Sequence, residues 1–360
     1  MHILEIIWYV SLIVLMGYHF LVFRTREKVI SSHQGETLPG VSIVIAVKNG
    51  SERLIQNLQS LFSQDYPQFE IVIVDDHSDP EEKQKLEEAV SGLPQVSLHH
   101  SVDEPGKKQA LSLGIENAKY ELILCTDADC IPSGHEWIKS MVAHSTGHDL
   151  VLGYSPYKHA KGLLNIMVRF ETVMTGIQYL SWAMKGRPYM GVGRNMLYAR
   201  KLFLQANPYK KHHGIPYGDD DLWVQQASNV AAVNVNFEKA AHVYSDPPTS
   251  WRGWFNQKHR HLSAGHYYSK HTWWQPGIYG LALIGHWFLL LVFIPFSPDS
   301  LMFTLFVLGL AIRWDTYRKW THRLGDSDTA LWYPFLEVAY AIYLVGMGIF
   351  TAVAKKQTWN

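Results

Sequence analysis

The sequence predicts an α/β protein with a mostly parallel sheet and with transmembrane helices at its N- and C-terminal ends. Three observations support this prediction. β-branched runs alternate with segments of helical periodicity over about residues 39–250, polar residues follow these runs, and long apolar runs lie near both ends of the chain. An alternation of strands and helices is typical of a parallel sheet with right-handed crossovers.

The first element is an apolar run at residues 3–23, about as long as the roughly 20 residues that cross a bilayer. Arg24, Arg26 and Lys28 follow this run, which predicts a cytoplasmic location for the chain after it. A cleaved signal peptide would carry its charge before the apolar core. We therefore expect residues 1–28 to be an uncleaved anchor, with a buried helix of a soluble protein as the alternative.

The next elements form a strand, a loop and a helix. Residues 41–47 are a β-branched run of the kind that is buried on both faces of a parallel sheet. A loop at residues 48–51 follows it, and Leu54, Leu58 and Leu61 then recur at helical spacing. This unit predicts that further strand and helix pairs follow.

Three more strands are predicted, each followed by polar residues. They lie at residues 70–74, 96–100 and 120–125, with helices at 80–90 and 109–117 between them. The carboxyl ends of parallel strands meet at one edge of the sheet, where open α/β sheets bind ligands. The polar residues after these strands are therefore candidates for one site.

Two carboxylates, Asp127 and Asp129, follow the fourth predicted strand. Hard oxygen ligands at such a position suit Mg²⁺ or Mn²⁺ held against a diphosphate. Asp-x-Asp alone is a weak signal, because carboxylates at strand ends are more often turn or cap residues.

Several blocks of the sequence together resemble a known family. The blocks occur in order at residues 41–49, 73–78, 106–111, 126–129, 191–198, 218–222 and 257–261. They resemble the successive nucleotide-sugar contacts of inverting family 2 glycosyltransferases with the GT-A fold. The resemblance spans about residues 39–270, and ordered blocks are far more specific than any single one.

The resemblance implies where a nucleotide would bind. Asp76 would accept the imide N–H of uracil, and the main chain near Ala46 and Val47 would frame the base. An Asx-turn or a helix N-cap is the alternative role for Asp76. Lys107 would lie beside the nucleotide, with Lys108 as the neighbouring alternative.

The resemblance also implies positions for the metal and the sugar. Asp127 would face the ribose and phosphates, and Asp129 would coordinate the metal directly. The segment around Gly193 would form the floor between donor and acceptor, because glycine lets the backbone approach the sugar.

Inverting transfer needs a general base that deprotonates the acceptor hydroxyl. Asp219, Asp220 and Asp221 are consecutive and precede an apolar helix start, so repulsion should raise at least one pKa. One or two of them could simply cap that helix. By position in the family motif the base would be Asp220, with Asp219 or Asp221 supporting it, and the register is open by one residue.

Gln257 and Arg260 match a family motif in which the arginine helps to neutralise the diphosphate. His261 replaces the tryptophan of that motif, which weakens a processive polysaccharide reading. Aromatic residues concentrated in residues 251–275 are typical of a membrane interface, and a buried aromatic core is the alternative.

Residues 276–360 are predicted to be a C-terminal transmembrane region of two to three spans. Its apolar runs cover residues 277–296, 301–312 and 330–354. We expect a turn at residues 295–300 and a cytoplasmic basic loop that begins at Arg313. The Arg313 side chain would snorkel from an inclined span or lie in a re-entrant segment.

Charge and cysteine content exclude some classes. The formal net charge is zero, so no field of one sign favours nucleic acid. Cys125 and Cys130 lie on either side of the Asp-x-Asp motif and form no CxxC pair, so neither a zinc site nor a disulfide in a reducing cytoplasm is expected.

The sequence therefore predicts a multi-pass glycosyltransferase of the inner, cytoplasmic membrane, with its catalytic domain (residues 39–250) facing the cytoplasm. It would move a sugar from a nucleotide diphosphate donor, UDP-linked, to a lipid or glycan acceptor delivered at the membrane, with inversion and with Mg²⁺ or Mn²⁺. Membrane lipids would be partners, and nucleic acid would not. A processive polysaccharide synthase is one alternative, and a non-catalytic nucleotide-sugar-binding membrane subunit is another.

Overall fold

The computed structural model describes residues 2–24, 38–102, 104–206, 218–268, 270–293 and 300–353. These residues form two compact units. The sheet unit comprises the described parts of residues 38–158 and 186–247, and the helical unit comprises those of residues 2–24, 159–185 and 248–353. Residues 159–185, which the sequence placed inside the catalytic domain, thus cluster with the helical unit.

The strands of the sheet unit are short and follow the predicted order. Their bounds are β1 (Val41–Val47), β2 (Phe69–Asp75), β3 (Val96–His100), β4 (Leu122–Cys125), β5 (Cys130–Pro132), β6 (Leu150–Gly153), β7 (Met196–Ala199), β8 (Val233–Asn236) and β9 (Val243–Ser245).

The helices of both units are numbered along the chain. Their bounds are α1 (His2–Gly17), α2 (Ser51–Phe62), α3 (Pro80–Val90), α4 (Lys107–Asn117), α5 (Trp137–Ala143), α6 (Leu163–Met184), α7 (Arg200–Ala206), α8 (Asp221–Ala227), α9 (Trp251–Ala264), α10 (Lys270–Phe293), α11 (Ser300–Leu324) and α12 (Tyr333–Val353).

Within the described residues, seven strands make one sheet in the order β3-β2-β1-β4-β7-β6-β8. Strands β1 to β4 run parallel, β7 is antiparallel to β4 and β6, and β8 is parallel to β6. Strands β5 and β9 pair separately as a small antiparallel sheet. The predicted mostly parallel α/β sheet is confirmed.

The burial of the central strands explains why the sequence predicted them well. Every residue of β1 is buried, and in β2 only Glu70 is partly exposed. Leu54, Leu58 and Leu61 of α2 pack in the same core. Helix α4 begins at Lys107 rather than at residue 109, so both lysines of the Gly-Lys-Lys block lie in its first turn.

Within the part of the chain that the structure describes, three helical segments are long and apolar enough to cross a membrane: Ile3–Val22, Thr272–Phe293 and Ser327–Val353. They match the predicted N-terminal run and two of the predicted C-terminal runs. Arg26, Lys28 and residues 295–299 of the predicted turn lie outside the residues that the structure describes, and Ser300, the last residue of that turn, begins α11.

The basic loop predicted after Arg313 is wrong, because α11 continues to Leu324. The Arg313 side chain is fully buried and does not snorkel. Its Nε and Nη2 atoms donate to the two carboxylate oxygens of Glu337 on α12, at 2.8 and 3.0 Å. Tyr333 and Trp287 also donate to that carboxylate. The charge is satisfied by pairing inside the helical unit, so the helix need not end there.

The aromatic residues of the 251–275 segment have different environments. Trp251, Tyr267 and Trp273 are exposed, as expected for a membrane interface. Trp254 is fully buried and stacks on Tyr343, with ring centroids 4.6 Å apart. Trp254 therefore belongs to the packed core of the helical unit.

Candidate active site

Lys107 joins carboxylates from two distant segments of the sheet unit. Its Nζ atom lies 2.9 Å from Asp127 Oδ1 and 3.1 Å from Asp219 Oδ2. Asp127 follows β4 and Asp219 precedes α8, while Lys107 opens α4. The structure thus brings together three residues that the sequence predicted separately.

The surroundings of Asp219 and Asp220 give the two carboxyls different pKa values. Burial acts to raise the pKa of Asp219, but the Lys107 charge and hydrogen bond outweigh it and hold that pKa below its ordinary value. Burial and the Asp219 charge raise the pKa of Asp220 to about 6. Environments that separate the pKa values of neighbouring carboxyls are typical of acid and base sites.

Backbone N–H groups fix the Asp220 carboxylate. Gly193 N–H donates to Asp220 Oδ2 at 3.1 Å, and Asp221 N–H donates to Oδ1 at 2.8 Å. Asp220 is the N-cap of α8, and Asp221, buried, is the first residue of that helix. A Cβ atom at Gly193 would lie 3.4 Å from Asp220 Cβ. That distance is an ordinary van der Waals contact, so space alone does not require a glycine at position 193. Asp220 caps α8, and backbone hydrogen bonds hold its carboxylate in place.

Lys108, the neighbouring alternative to Lys107, is also buried. Burial lowers the pKa of Lys108, while Asp219 and Asp220 act to raise it. Both lysines of the Gly-Lys-Lys block are therefore electrostatically linked to the acidic motif, but Lys107 pairs directly with Asp127.

A possible metal site lies beside this cluster. Oxygen atoms of Asp127 and Asp129 and the Cys130 sulfur all lie within 4.8 Å of one another. Burial raises the pKa of the Cys130 thiol well above its ordinary value, so the thiol is protonated at neutral pH and is a poor ligand. The two carboxylates remain, and hard oxygen donors fit Mg²⁺ or Mn²⁺ better than a soft-ligand metal.

Asp76 lies at the end of β2, where it was predicted to bind a nucleobase. Its side chain is fully buried. Oδ1 accepts from Gly106 N–H at 3.1 Å and lies 3.1 Å from His77 Nδ1. Among the described residues no group hydrogen-bonds Oδ2. The N-cap of α3 is Asp79, so the alternative that Asp76 caps this helix is wrong.

The ends of β1 and β2 are connected by hydrogen bonds. Asp76 N–H donates to the carbonyl of Val47 at 2.8 Å, and Ala46 precedes Val47 in the buried strand β1. Beyond the strands, Asn49 Oδ1 accepts from Asp79 N–H at 2.8 Å. Ala46, Val47 and Asp76 therefore lie at one sheet edge, as predicted.

Gln257 and Arg260 lie on α9 of the helical unit. On the same helix Lys258 forms an ion pair with Glu171 of α6. The predicted contacts of Gln257 and Arg260 with a donor stay predictions.

One charged side chain in the sheet unit was missed. Arg194 lies in the block at residues 191–196 that was expected to form a backbone floor, and it had no predicted role. Burial acts to lower the pKa of Arg194, but charges that include those of Asp127 and Asp129 raise it. The signal was a cationic residue next to Gly193 in a block that already matched a sugar-contacting segment.

The sequence is similar to those of known glycosyltransferases. Residues 42–204 match the family described as Glycosyl transferase family 2. Glycosyltransferase AglE of Haloferax volcanii is 28% identical over 130 residues, which cover 35% of this chain and 42% of that protein. Poly-beta-1,6-N-acetyl-D-glucosamine synthase of Staphylococcus epidermidis is 32% identical over 132 residues, covering 36% of this chain and 30% of that protein. The chain thus spans less than half the length of these two relatives.

A solved structure shares the fold. Mannosyltransferase PcManGT from Pyrobaculum calidifontis, in complex with GDP-Man and Mn²⁺, superposes with a TM-score of 0.60 at 15% identity, covering 98% of this chain and 100% of that chain. The strand order, the family match over residues 42–204 and this similarity agree, and the chain therefore contains a glycosyltransferase family 2 domain with the GT-A fold.

Proposed function

We propose that the protein transfers a sugar from a nucleotide diphosphate sugar, UDP-linked, to a lipid acceptor delivered at the inner membrane, with inversion at the anomeric carbon. The observation that carries the proposal is the cluster of Lys107, Asp127, Asp219 and Asp220. In this cluster Lys107, predicted to lie beside the nucleotide, contacts Asp127 and Asp219. The neighbouring carboxyl group of Asp220 has a pKa that is raised to about 6.

In the proposed reaction Asp220 is the general base. Its carboxylate takes the proton of the acceptor hydroxyl as the hydroxyl oxygen attacks the anomeric carbon. The bond from that carbon to the diphosphate breaks, and the nucleoside diphosphate leaves with its electron pair. Asp219 stays ionised beside Lys107, so its charge keeps the pKa of Asp220 high.

Asp129 and Asp127 would hold the divalent cation. When bound, Mg²⁺ or Mn²⁺ would offset the charge of the diphosphate. Asp76, with one buried carboxylate oxygen that no described residue hydrogen-bonds, would accept a base N–H. Lys107 would hold Asp127, on the donor side, close to Asp219, the neighbour of the proposed base.

Three helical segments that could cross a membrane support an acceptor that arrives from the bilayer. They equally permit a processive polysaccharide synthase, and several relatives are named as such synthases, among them poly-beta-1,6-N-acetyl-D-glucosamine synthase and hyaluronan synthase. The His261 replacement of the family tryptophan disfavours this second enzyme. A non-catalytic subunit would not need a carboxylate with the surroundings of Asp220.

The test is product analysis. Membranes that contain the protein are incubated with Mn²⁺ and radiolabelled UDP-sugars or GDP-sugars, and the products are separated into a lipid extract and a polymer precipitate. We expect label in the lipid extract, and at least roughly a hundredfold less in matched membranes carrying Asp220→Asn. Label in high-molecular-weight polymer would support the processive synthase, and wild-type membranes without labelled product would overturn the enzyme proposal.

A further inference from the structure

The loop before β7 is held in place by the side chain of Asn195. Asn195 Oδ1 accepts from Trp137 Nε1 at 3.0 Å, and its Nδ2 donates to the carbonyls of Tyr154 and Ala241, both at 2.8 Å. The Asn195 side chain is fully buried. A buried amide with these partners fixes the backbone on which Arg194 stands.

The Arg194 guanidinium is itself oriented by two residues. Its Nε donates to Ser155 Oγ at 2.6 Å, and its Nη2 donates to the Ser155 carbonyl at 3.2 Å. Its Cζ lies 5.1 Å from the ring centroid of Tyr157. Ser155 is buried, and its hydroxyl donates to the Val243 carbonyl. One edge of the guanidinium is therefore used for positioning, and Nη1 makes no hydrogen bond to any residue in the described ranges.

Strand pairing places Arg194 near the candidate metal pair. Tyr157, whose ring lies against the Arg194 guanidinium, bridges to Ser245, and Ser245 pairs with Cys130, the residue after Asp129. Burial acts to lower the pKa of Arg194, but Tyr157, Cys130, Asp127 and Asp129 raise it, so the group is a permanent cation. Within the described residues Arg194 forms no ion pair with either carboxylate, and Asp127 pairs with Lys107 instead. A fixed cation that lies near two carboxylates without bonding them is suited to an anion that binds between them.

We propose that Arg194 binds the terminal phosphate of the donor diphosphate and stabilises the nucleoside diphosphate as it leaves. The inference rests on the proposed function and adds a catalytic residue to it. As the bond to the anomeric carbon breaks, the electron pair passes to the diphosphate oxygen. A guanidinium with a free edge can donate to that oxygen, and its planar fork suits phosphate better than an ammonium does.

Arg194 differs from Arg260, the arginine that the family resemblance assigns to the diphosphate. Arg194 shares the sheet unit with Asp127, Asp129 and Asp220, whereas Arg260 lies on α9 of the helical unit. The two arginines can therefore be tested separately.

The experiment measures nucleotide affinity of the full-length protein in detergent by calorimetry with Mn²⁺. Uridine and guanosine nucleotides are compared as diphosphate and monophosphate pairs. The variants are Arg194→Gln, Arg194→Lys and Ser155→Ala, and the matched control is Lys139→Gln, which removes an exposed positive charge on α5. Thermal unfolding of each variant is measured in parallel.

We expect Arg194→Gln to weaken diphosphate binding by roughly 10- to 100-fold, the scale of a charge-assisted hydrogen bond, with monophosphate binding within about twofold of wild type. Arg194→Lys should recover part of the loss because it keeps the charge. Ser155→Ala should lower the affinity for diphosphate by a smaller factor and leave the affinity for monophosphate unchanged. Lys139→Gln should change neither affinity.

Two outcomes would overturn the inference and are distinguishable. If wild type prefers diphosphate over monophosphate and a folded Arg194→Gln keeps the same preference, Arg194 does not contact the terminal phosphate and the proposed function stands. If wild type binds none of the nucleotides and transfers no sugar, the proposed function fails and this inference fails with it. If Arg194→Gln does not fold, Arg194→Lys and Ser155→Ala provide the test. The quantity compared is again the ratio of diphosphate affinity to monophosphate affinity.

Discussion

At the residue scale, Lys107 gives two adjacent carboxyl groups different properties. It pairs with Asp219 at 3.1 Å and leaves Asp220 in buried surroundings beside a negative charge. Asp220 nevertheless keeps two backbone N–H partners. Burial and the neighbouring Asp219 charge raise the pKa of Asp220, and two backbone hydrogen bonds hold its carboxylate in place. Asp220 is therefore the best candidate for the base among the three consecutive aspartates.

We expect Asp220→Asn to lower kcat by at least roughly a hundredfold, the scale of lost general-base catalysis. Donor affinity should stay within a few fold, because the proposed role of Asp220 is to deprotonate the acceptor and not to bind the donor. The amide oxygen of the substituted side chain would keep one of the two backbone hydrogen bonds. Steady-state kinetics and nucleotide calorimetry measure the two quantities. Asp221→Asn is the matched comparison, and if it alone showed this signature the motif register would shift by one residue.

The pH profile provides a second test of Asp220. The base acts in its ionised form, so with a pKa of about 6 kcat/KM should fall about tenfold per pH unit below 6 and level off above it. Asp219, whose pKa is lowered, should not titrate in this window. A profile that is flat between pH 5 and 8, measured with metal at saturation, would argue against Asp220 as the base.

The metal prediction belongs to Asp129. Asp129→Asn should abolish transfer and metal-dependent nucleotide binding, because an amide cannot supply the charge that a bound Mg²⁺ or Mn²⁺ needs. Circular dichroism should show an intact fold. Full wild-type activity in EDTA, or near-normal turnover of the variant, would show that the assignment is wrong.

At the scale of elements, the helical unit depends on a buried ion pair between α11 and α12. Arg313 and Glu337 are both fully buried, and Tyr333 and Trp287 complete the hydrogen bonds of the carboxylate. Removing one charge would leave the other buried and unpaired. The pair therefore lets α11 extend through a charged residue that the sequence suggested would end a span.

Glu337→Gln should destabilise the protein by about 3 to 5 kcal/mol, as expected when one partner of a buried pair is lost. Thermal unfolding in detergent measures the change. The control is the double variant Arg313→Met with Glu337→Met, which removes both charges and should be more stable than Glu337→Gln. A double variant that is less stable than the single one would contradict this account.

For the whole molecule, we expect the apolar helical segments to hold the protein in the membrane. Three segments long and apolar enough to span a bilayer should keep the protein in membranes during carbonate or high-salt washing, with release only by detergent. Immunoblots of the washed pellet and supernatant measure this. Release by carbonate would remove the support for an acceptor that arrives from the bilayer.

The same segments allow a test of orientation. Cys125 and Cys130 are buried, so they should react little with added thiol reagents. Ser327→Cys places a thiol at an exposed position between α11 and α12. A membrane-impermeant maleimide should label it only in inverted vesicles if this end of α11 faces the cytoplasm. Labelling in right-side-out cells would overturn the predicted topology and leave the active-site proposal unchanged.

Local sequence patterns were enough to predict the elements that arise from local causes. Strands β1 and β2 were predictable because they are buried parallel strands rich in β-branched residues, and β1 was predicted with its observed bounds. Ordered family blocks also predicted Asp127, Lys107 and the acidic motif. The apolar runs gave the candidate membrane segments, because crossing a bilayer sets length and composition directly.

Which charged side chains meet depends on contacts between residues that are far apart in the sequence. Lys107 pairs with Asp219 across a long sequence separation, and this contact, absent from any local pattern, distinguishes Asp219 from Asp220. Ser155 and Tyr157 orient Arg194 in the same way, and Glu337 makes a buried Arg313 tolerable. The physical reason is that secondary structure follows from local periodicity, whereas the pKa and role of a charged group depend on the neighbours that folding brings to it.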